Sequence, residues 1–172
     1  MVENILSPAK VHYHPRAVAE ILEEGHTLPV HFQIGLTNYC NHDCPWCSGR
    51  DYRGKHPQNI DVDKMRAFLA ASSGHVKAVT FAGTGEPTLH PEFAACCAAT
   101  MPMDLGIITN GAGLWRDSGN VRAVLERARL IRFSMNGATP ESYAKYHWTG
   151  QLDFEHVIET IGRIVQGRDK TT

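Results

Sequence analysis

The sequence lacks the features that would place a protein in a membrane or export it. No apolar run reaches the roughly 18 residues that span a bilayer. The first ten residues, MVENILSPAK, lack the basic start and apolar centre of a signal peptide. No linker-like or low-complexity stretch divides the 172 residues. We therefore expect a soluble, cytoplasmic, single-domain protein without a membrane partner.

An excess of charge of one sign is also absent. The 17 Lys and Arg residues nearly balance the 18 Asp and Glu residues, which gives a net charge of −1. That balance argues against binding of nucleic acid through bulk charge, so no nucleic-acid partner is expected. A hydrophobic content of 42% is enough for a sizeable core.

Cysteine is scarce, but its distribution is informative. Three of the five cysteines lie in the stretch CNHDCPWC, at Cys40, Cys44 and Cys47. In a reducing compartment a cluster of this kind indicates metal binding or catalysis, not a disulfide framework. Cys96 and Cys97 lie in an alanine-rich segment, where we interpret them as small core residues of a helix.

Strand-like and helix-like segments alternate along the chain. Apolar alternation and turn signals predict strands at 30–37, 77–83, 104–111 and 130–137. Helical periodicity and capping residues predict helices at 15–25, 61–72, 90–100, 120–128, 139–147 and 153–167. This alternation predicts a parallel sheet with crossover helices, either a β/α barrel or a doubly wound sheet. Residues 1–29 would form a helical extension ahead of the strand–helix units at 30–172.

Two of the predicted helices carry a clear apolar stripe. In the helix at 61–72 the stripe consists of Val62, Met65, Phe68 and Leu69. In the last helix it consists of Val157, Ile158, Ile161, Ile164 and Val165. The first stripe identifies a helix, and we expect the second to be buried, although Ile158, Ile161 and Val165 would be only half covered if no further unit packed on them.

Three cysteines suit an iron–sulfur cluster with one open iron. A 4Fe–4S cluster has four irons, so three thiolates leave one position for a substrate or cofactor. In β/α folds the chemistry lies at the carboxyl ends of the strands. The cysteines follow the first predicted strand, the sequence GTGEP follows the second and TNG follows the third, while the fourth strand contains Ser134.

These motifs resemble those of the radical S-adenosylmethionine (radical SAM) superfamily. The spacing C-x3-C-x2-C, with aromatic Trp46 before the last cysteine, is similar to its cluster motif. GTGEP resembles the family's Gly-Gly-Glu-Pro motif, with Thr84 at a position of the family's glycine. IRFSMNGATPESYAKYH resembles the fourth-strand region of the branch with molybdenum-cofactor and SPASM-type enzymes. The resemblance covers residues 30 to 165 and implies a partial radical SAM (β/α) barrel with about four parallel strands.

The resemblance also implies roles for individual residues. The three clustered cysteines would bind a 4Fe–4S cluster, and Trp46 would meet the adenine of SAM. Gly85 and Glu86 would receive the amino group of SAM in a turn shaped by Gly83 and Thr84. Ser134 would contact the ribose or carboxylate, and Asn110 would contact SAM or substrate. The catalytic residues beyond these cofactor sites are not predicted.

The implied activity is radical chemistry. Electron transfer from the cluster would cleave SAM to a 5′-deoxyadenosyl radical, which abstracts hydrogen from a small-molecule or peptide substrate, as in an oxidoreductase or transferase. Flavodoxin or ferredoxin is the expected electron donor. The last strands of a complete barrel are not in these residues, so we expect a partner segment or chain to complete it. Alone, the chain is expected to associate and to turn over SAM slowly or not at all.

Other functions fit parts of the sequence. A zinc-binding or other non-catalytic interaction module would need a fourth ligand, such as His42 or a distant histidine. An electron-transfer iron–sulfur protein would need a fourth cysteine nearby. Arg50, Arg53 and Lys55 are interpreted as a solvated charged loop. We interpret four histidines as surface or helix-end residues: His14, His26, His75 and His147.

Overall fold

The computed structural model describes residues 12–52 and 58–169, so Arg53 and Lys55 lie outside the described residues. The strands are β1 (His31–Ile34), β2 (Ala78–Phe81), β3 (Asp104–Thr109) and β4 (Ala128–Phe133). The helices are α1 (Pro15–Glu24), α2 (Val62–Ser72), α3 (Phe93–Ala99), α4 (Ala112–Arg116), α5 (Ser118–Arg127), α6 (Pro140–His147) and α7 (Leu152–Asp169).

The four strands form one parallel sheet in the order β1-β2-β3-β4. This sequential order is that of a β/α barrel, because a doubly wound sheet reverses its strand order at a switch point. The predicted partial (β/α) barrel of four parallel strands is therefore confirmed. The register places His31 beside Ala78, and Ala78 beside Asp104, so the carboxyl ends of the strands meet at one edge.

Local sequence signals explain where the helices begin and end. Pro15 stands at the start of α1, and Gly25 ends it in the left-handed conformation at φ 77°. Asp61 caps α2 by accepting a hydrogen bond from the backbone N–H of Lys64. Thr139 caps α6 in a reciprocal capping box with Ser142. None of the helices in the described part of the chain is both long and apolar enough to cross a bilayer.

The core lies between one face of the sheet and helices α2, α3 and α5. Alternate residues of the central strands supply its centre: Val79, Phe81, Leu105 and Ile107. The helices contribute Met65, Leu69, Phe93, Cys96, Cys97 and Val124. Both of these cysteines are fully buried, which confirms that they are core residues. The opposite face of the sheet, with Gln33, Ile108 and Arg132, faces the cavity described below.

The predicted apolar stripes of α2 and α7 are only partly buried. Phe68 is 53% exposed and packs against Phe32 of the edge strand β1. Ile158 and Val165 are 48% and 55% exposed. Helix α2 packs against α3, and α7 packs against α4, α5 and α6. Val157 and Ile164 are buried as expected, and the exposure of Ile158 and Val165 agrees with the expectation of a half-covered last helix.

Candidate functional site

A cavity of about 500 Å³ lies at the carboxyl ends of the four strands. Its wall contains every residue that the sequence singled out for a cofactor except Thr84: Cys40, Cys44, Trp46, Cys47, Gly83, Gly85, Glu86, Asn110 and Ser134. The segments after β1, β2, β3 and β4 each contribute, so residues as far apart in sequence as Gln33 and His147 share one wall. This convergence follows from the parallel strand order.

The cysteine loop is folded by its own backbone and tied to β3. The N–H of Cys47 donates to the carbonyl of Cys44 at 3.1 Å, and the N–H of Arg50 donates to the carbonyl of Cys47 at 3.0 Å. The side-chain amide of Asn110 donates to Oδ1 of Asn41 at 3.0 Å and lies 3.9 Å from Sγ of Cys40. None of the three loop cysteines forms a disulfide, and all three are of intermediate burial.

Glu86 lines the cavity and accepts hydrogen bonds both from the segment after β2 and from the end of β3. Its Oε1 accepts from the N–H and hydroxyl of Thr88 at 3.0 and 2.6 Å, and from the hydroxyl of Thr109 at 2.6 Å. Its Oε2 accepts from the N–H of Asn110 at 2.7 Å. Burial raises the pKa of Glu86, and these hydrogen bonds oppose the rise.

These bonds fix the end of β2 to the end of β3. The predicted contact between Glu86 and the amino group of SAM stays a prediction. Of the four protein donors, three bind Oε1 and one binds Oε2, which leaves one acceptor position on Oε2.

The glycines of GTGEP allow close packing of the turn against the cysteine loop. A Cβ on Gly85 would lie 2.3 Å from the carbonyl oxygen of Thr37 and 2.5 Å from that of Tyr39. The N–H of Glu86 also donates to that Tyr39 carbonyl at 2.8 Å. Thr84 does not have a positive φ, so its β-branched side chain is compatible with the turn. It packs against Gly49, where a Cβ would lie 2.8 Å from the Cα of Thr84.

Ser134 lies one residue beyond β4, where its N–H donates to the carbonyl of Thr109 at 2.8 Å. Ser134 lines the cavity, and the preceding Phe133 packs against the core. Arg132, two residues earlier, also lines the cavity and, among the described residues, is the one Lys or Arg side chain in its wall. The sequence analysis did not select Arg132, although its spacing of two from Ser134 placed it on the same face.

The end of α6 packs on the cysteine loop. The N–H of Asp43 donates to the carbonyl of His147 at 3.2 Å. The ring of Trp46 lies 5.2 Å from that of Tyr146, and the guanidinium of Arg50 lies 4.6 Å from the centre of the Trp148 ring. These contacts join segments about a hundred residues apart in sequence.

His42 and His147 are both buried in this contact, at 2% and 1% exposure. His147 ends α6, as expected, but it is not a surface residue, and burial lowers its pKa. It packs against the ring of Tyr143 at 4.2 Å. No sequence signal linked His147 to the cysteines, whereas His42 lies inside the cysteine motif itself.

Comparison with known proteins identifies the family. The model of the radical SAM superfamily matches residues 34–168, which is most of the chain. The chain therefore belongs to the radical SAM superfamily. No curated protein sequence matches it.

Several solved structures share the fold at low sequence identity. Streptococcus suis SuiB bound to the precursor peptide SuiA has a TM-score of 0.72 and 14% identity, over 97% of this chain and 38% of SuiB. SuiB bound to S-adenosylmethionine has a TM-score of 0.71 and 16% identity, over 95% of this chain and 39% of SuiB. BtrN in complex with AdoMet and 2-DOIA has a TM-score of 0.53 and 19% identity, over 76% of this chain and 55% of BtrN. The chain thus spans about two fifths of the length of SuiB.

Proposed function

We propose that this chain supplies the cluster-binding and SAM-binding part of a radical SAM enzyme. The observation that carries the proposal is the meeting of three cysteine side chains with the ends of all four strands around one cavity. Family membership supports the same conclusion. The reaction class, oxidoreductase or transferase, depends on a substrate that the motifs do not specify.

The donor set fits a 4Fe–4S cluster. Cys40, Cys44 and Cys47 would bind three of its irons, and the cavity in front of them has room for a ligand of the fourth. When bound, such a cluster supplies the electron that cleaves SAM to the 5′-deoxyadenosyl radical, which then abstracts hydrogen from the substrate. Cysteines that form no disulfide at these positions fit the reducing cytoplasm, which is the location we propose.

The remaining walls would bind SAM. The backbone at Gly83, Thr84 and Gly85 forms a turn held against the cysteine loop, next to the proposed site of the methionyl amino group. Asn110 and Ser134 offer polar side chains at the ends of β3 and β4. Trp46 is half exposed at the cavity, where it can meet the adenine.

The substrate would be a peptide or another small molecule that enters the same cavity. SuiB, which shares the fold, has been solved with a precursor peptide, and BtrN with 2-DOIA. We also propose an electron donor such as flavodoxin or ferredoxin. A further segment or chain would pack on β4, an edge of the sheet formed by the described residues.

Anaerobic reconstitution of the full 172-residue chain tests the proposal. We expect a brown protein with about four irons and four sulfides per chain. Its reduced electron paramagnetic resonance spectrum should change when SAM is added. A colourless protein that binds no sulfide would contradict the cluster, and an unchanged spectrum would contradict SAM binding at an open iron.

A further inference from the structure

Two buried histidines converge on Cys44. His42 comes from the cysteine loop and His147 from the end of α6. The two Nδ1 atoms lie 3.2 Å apart, and Nδ1 of His147 lies 3.4 Å from Sγ of Cys44. The three ligand-type atoms all lie within 4.8 Å of one another. Imidazole nitrogen and thiolate sulfur are the ligands that zinc prefers in proteins.

Two of the three separations between these atoms agree closely with one zinc ion bound by all of them. Zinc binds nitrogen at about 2.0–2.1 Å and sulfur at about 2.3 Å. Tetrahedral geometry then places two nitrogen ligands about 3.3 Å apart and a nitrogen and a sulfur about 3.6 Å apart. The observed separations of 3.2 and 3.4 Å are within a few tenths of an ångström of these values.

The outer nitrogen of His147 fixes the ring for ligation. Nε2 lies 3.1 Å from the carbonyl oxygen of Met135. Because a carbonyl only accepts, Nε2 carries the proton, and a neutral ring then presents the lone pair of Nδ1 toward Cys44. Zinc-bound histidines commonly donate their outer N–H to a backbone carbonyl, which fixes the orientation of the ring.

The outer nitrogen of His42 faces a carboxylate that lies beyond hydrogen-bond distance. Its Nε2 lies 3.7 Å from Oδ2 of Asp153 on α7. Asp153 also accepts a hydrogen bond from the hydroxyl of Thr149. A carboxylate facing the outer nitrogen orients a ligating imidazole and raises its basicity.

A second histidine–cysteine pair shows that proximity alone does not make a ligand set. Nδ1 of His90 lies 3.7 Å from Sγ of Cys96. However, that Nδ1 accepts from the N–H of Glu92 at 3.0 Å, and Nε2 donates to the carbonyl of Ile60 at 3.0 Å. Both nitrogens are therefore occupied by the backbone. No other His, Cys, Asp or Glu group within the described ranges meets the geometry of a three-ligand site.

We propose that Nδ1 of His42, Nδ1 of His147 and Sγ of Cys44 bind a single Zn²⁺ ion, with water as the fourth ligand. On binding, the thiol of Cys44 releases its proton to solvent, and the proton of His42 lies on Nε2 beside Asp153. No electron is transferred. This site differs from a three-cysteine zinc site because it does not use Cys40 or Cys47.

Zinc and the proposed iron–sulfur cluster would exclude each other, because both use Cys44. A chain that takes up zinc first would then be unable to assemble the cluster. The inference does not require the cluster to exist, since it depends only on the geometry around Cys44. The supply of zinc relative to iron and sulfide would decide which form accumulates.

Zinc titration of the metal-free chain under anaerobic, reducing conditions tests the site. We expect one Zn²⁺ per chain by competition with a chromophoric chelator. His42→Ala, His147→Ala and Cys44→Ala should abolish this binding, and Asp153→Asn should weaken it about 10–100-fold. Cys40→Ala, Cys47→Ala and the remote His75→Ala should leave it unchanged. Retention of zinc by His147→Ala, or its loss in Cys40→Ala, would overturn the proposal.

Two measurements on the wild-type chain do not depend on how the variants fold. Zinc X-ray absorption should show one sulfur ligand and nitrogen or oxygen ligands, and a shell of three sulfurs would overturn the proposal. Co²⁺ should give the intense visible bands of a tetrahedral site. Iron–sulfur reconstitution of His147→Ala distinguishes the two proposals. This variant should still assemble the cluster, because the proposed cluster depends on the cysteines alone.

Discussion

The five cysteines occupy two environments with opposite character. Cys40, Cys44 and Cys47 lie on a loop held by backbone and side-chain hydrogen bonds, at a cavity open to ligands. Cys96 and Cys97 are fully buried on α3 among apolar side chains. Burial raises the pKa of the Cys96 thiol to about 11 and that of Cys97 to about 12. The same residue type therefore serves as a ligand candidate in one region and as packing in the other.

The largest difference between the loop cysteines and the core cysteines should appear in the iron content of their variants. Cys44→Ala is expected to abolish stable cluster binding and leave the chain folded, because the loop lies outside the core. Cys96→Ala is the matched control and should retain the full iron content of the wild type. Iron and sulfide analysis after anaerobic reconstitution measures both. Full iron retention in Cys44→Ala would remove this residue from the cluster site.

Alkylation should separate the two groups of cysteines without any metal. At pH 8 the raised pKa values keep Cys96 and Cys97 as neutral thiols, and thiols react far more slowly than thiolates. We expect iodoacetamide to modify only the three loop cysteines of the folded, metal-free chain. Mass spectrometry of peptides reads this out, with the urea-unfolded chain as the control in which all five react. Modification of Cys97 in the folded chain would contradict its burial.

Sequence patterns were sufficient for much of this contrast. The spacing of the loop cysteines, and the position of GTGEP and Ser134 at strand ends, predicted the cavity wall because parallel strands end at one edge. The partnership of His147 with Cys44 was not predictable, since it depends on how α6 crosses the loop 103 residues away. The exposure of Phe68 was also missed, because periodicity identifies an apolar face and not the number of neighbours that cover it.

Glu86 provides the next test, because it links the loop region to the sheet. In Glu86→Gln an amide N–H₂ replaces one acceptor oxygen and meets donors from Thr88, Thr109 or Asn110. We expect the free energy of unfolding to fall by about 1–3 kcal/mol. Urea denaturation of the metal-free chain measures the change. The exposed Glu92→Gln is the matched control and should stay within about 0.5 kcal/mol of the wild type.

SAM titration of the reconstituted Glu86→Gln variant separates its two roles. A lower SAM affinity with unchanged stability would support the predicted direct contact. It would also contradict the role of Glu86 in joining the ends of β2 and β3. Lower stability with unchanged SAM affinity would instead remove the carboxylate from the SAM site.

The smallest expected effect is the stability of the core thiol. Cys96→Ala removes a fully buried sulfur from a packed interior, which costs about 1 kcal/mol through lost burial and a small cavity. Cys40→Ala removes the same atom from a partly exposed loop position, and in the metal-free chain it should change stability by less than about 0.5 kcal/mol. Urea denaturation of the two variants side by side compares identical chemical changes. If Cys40→Ala proved the more destabilising of the two without metal, the loop would contribute to the fold itself, and the division between a ligand region and a packing region would be wrong.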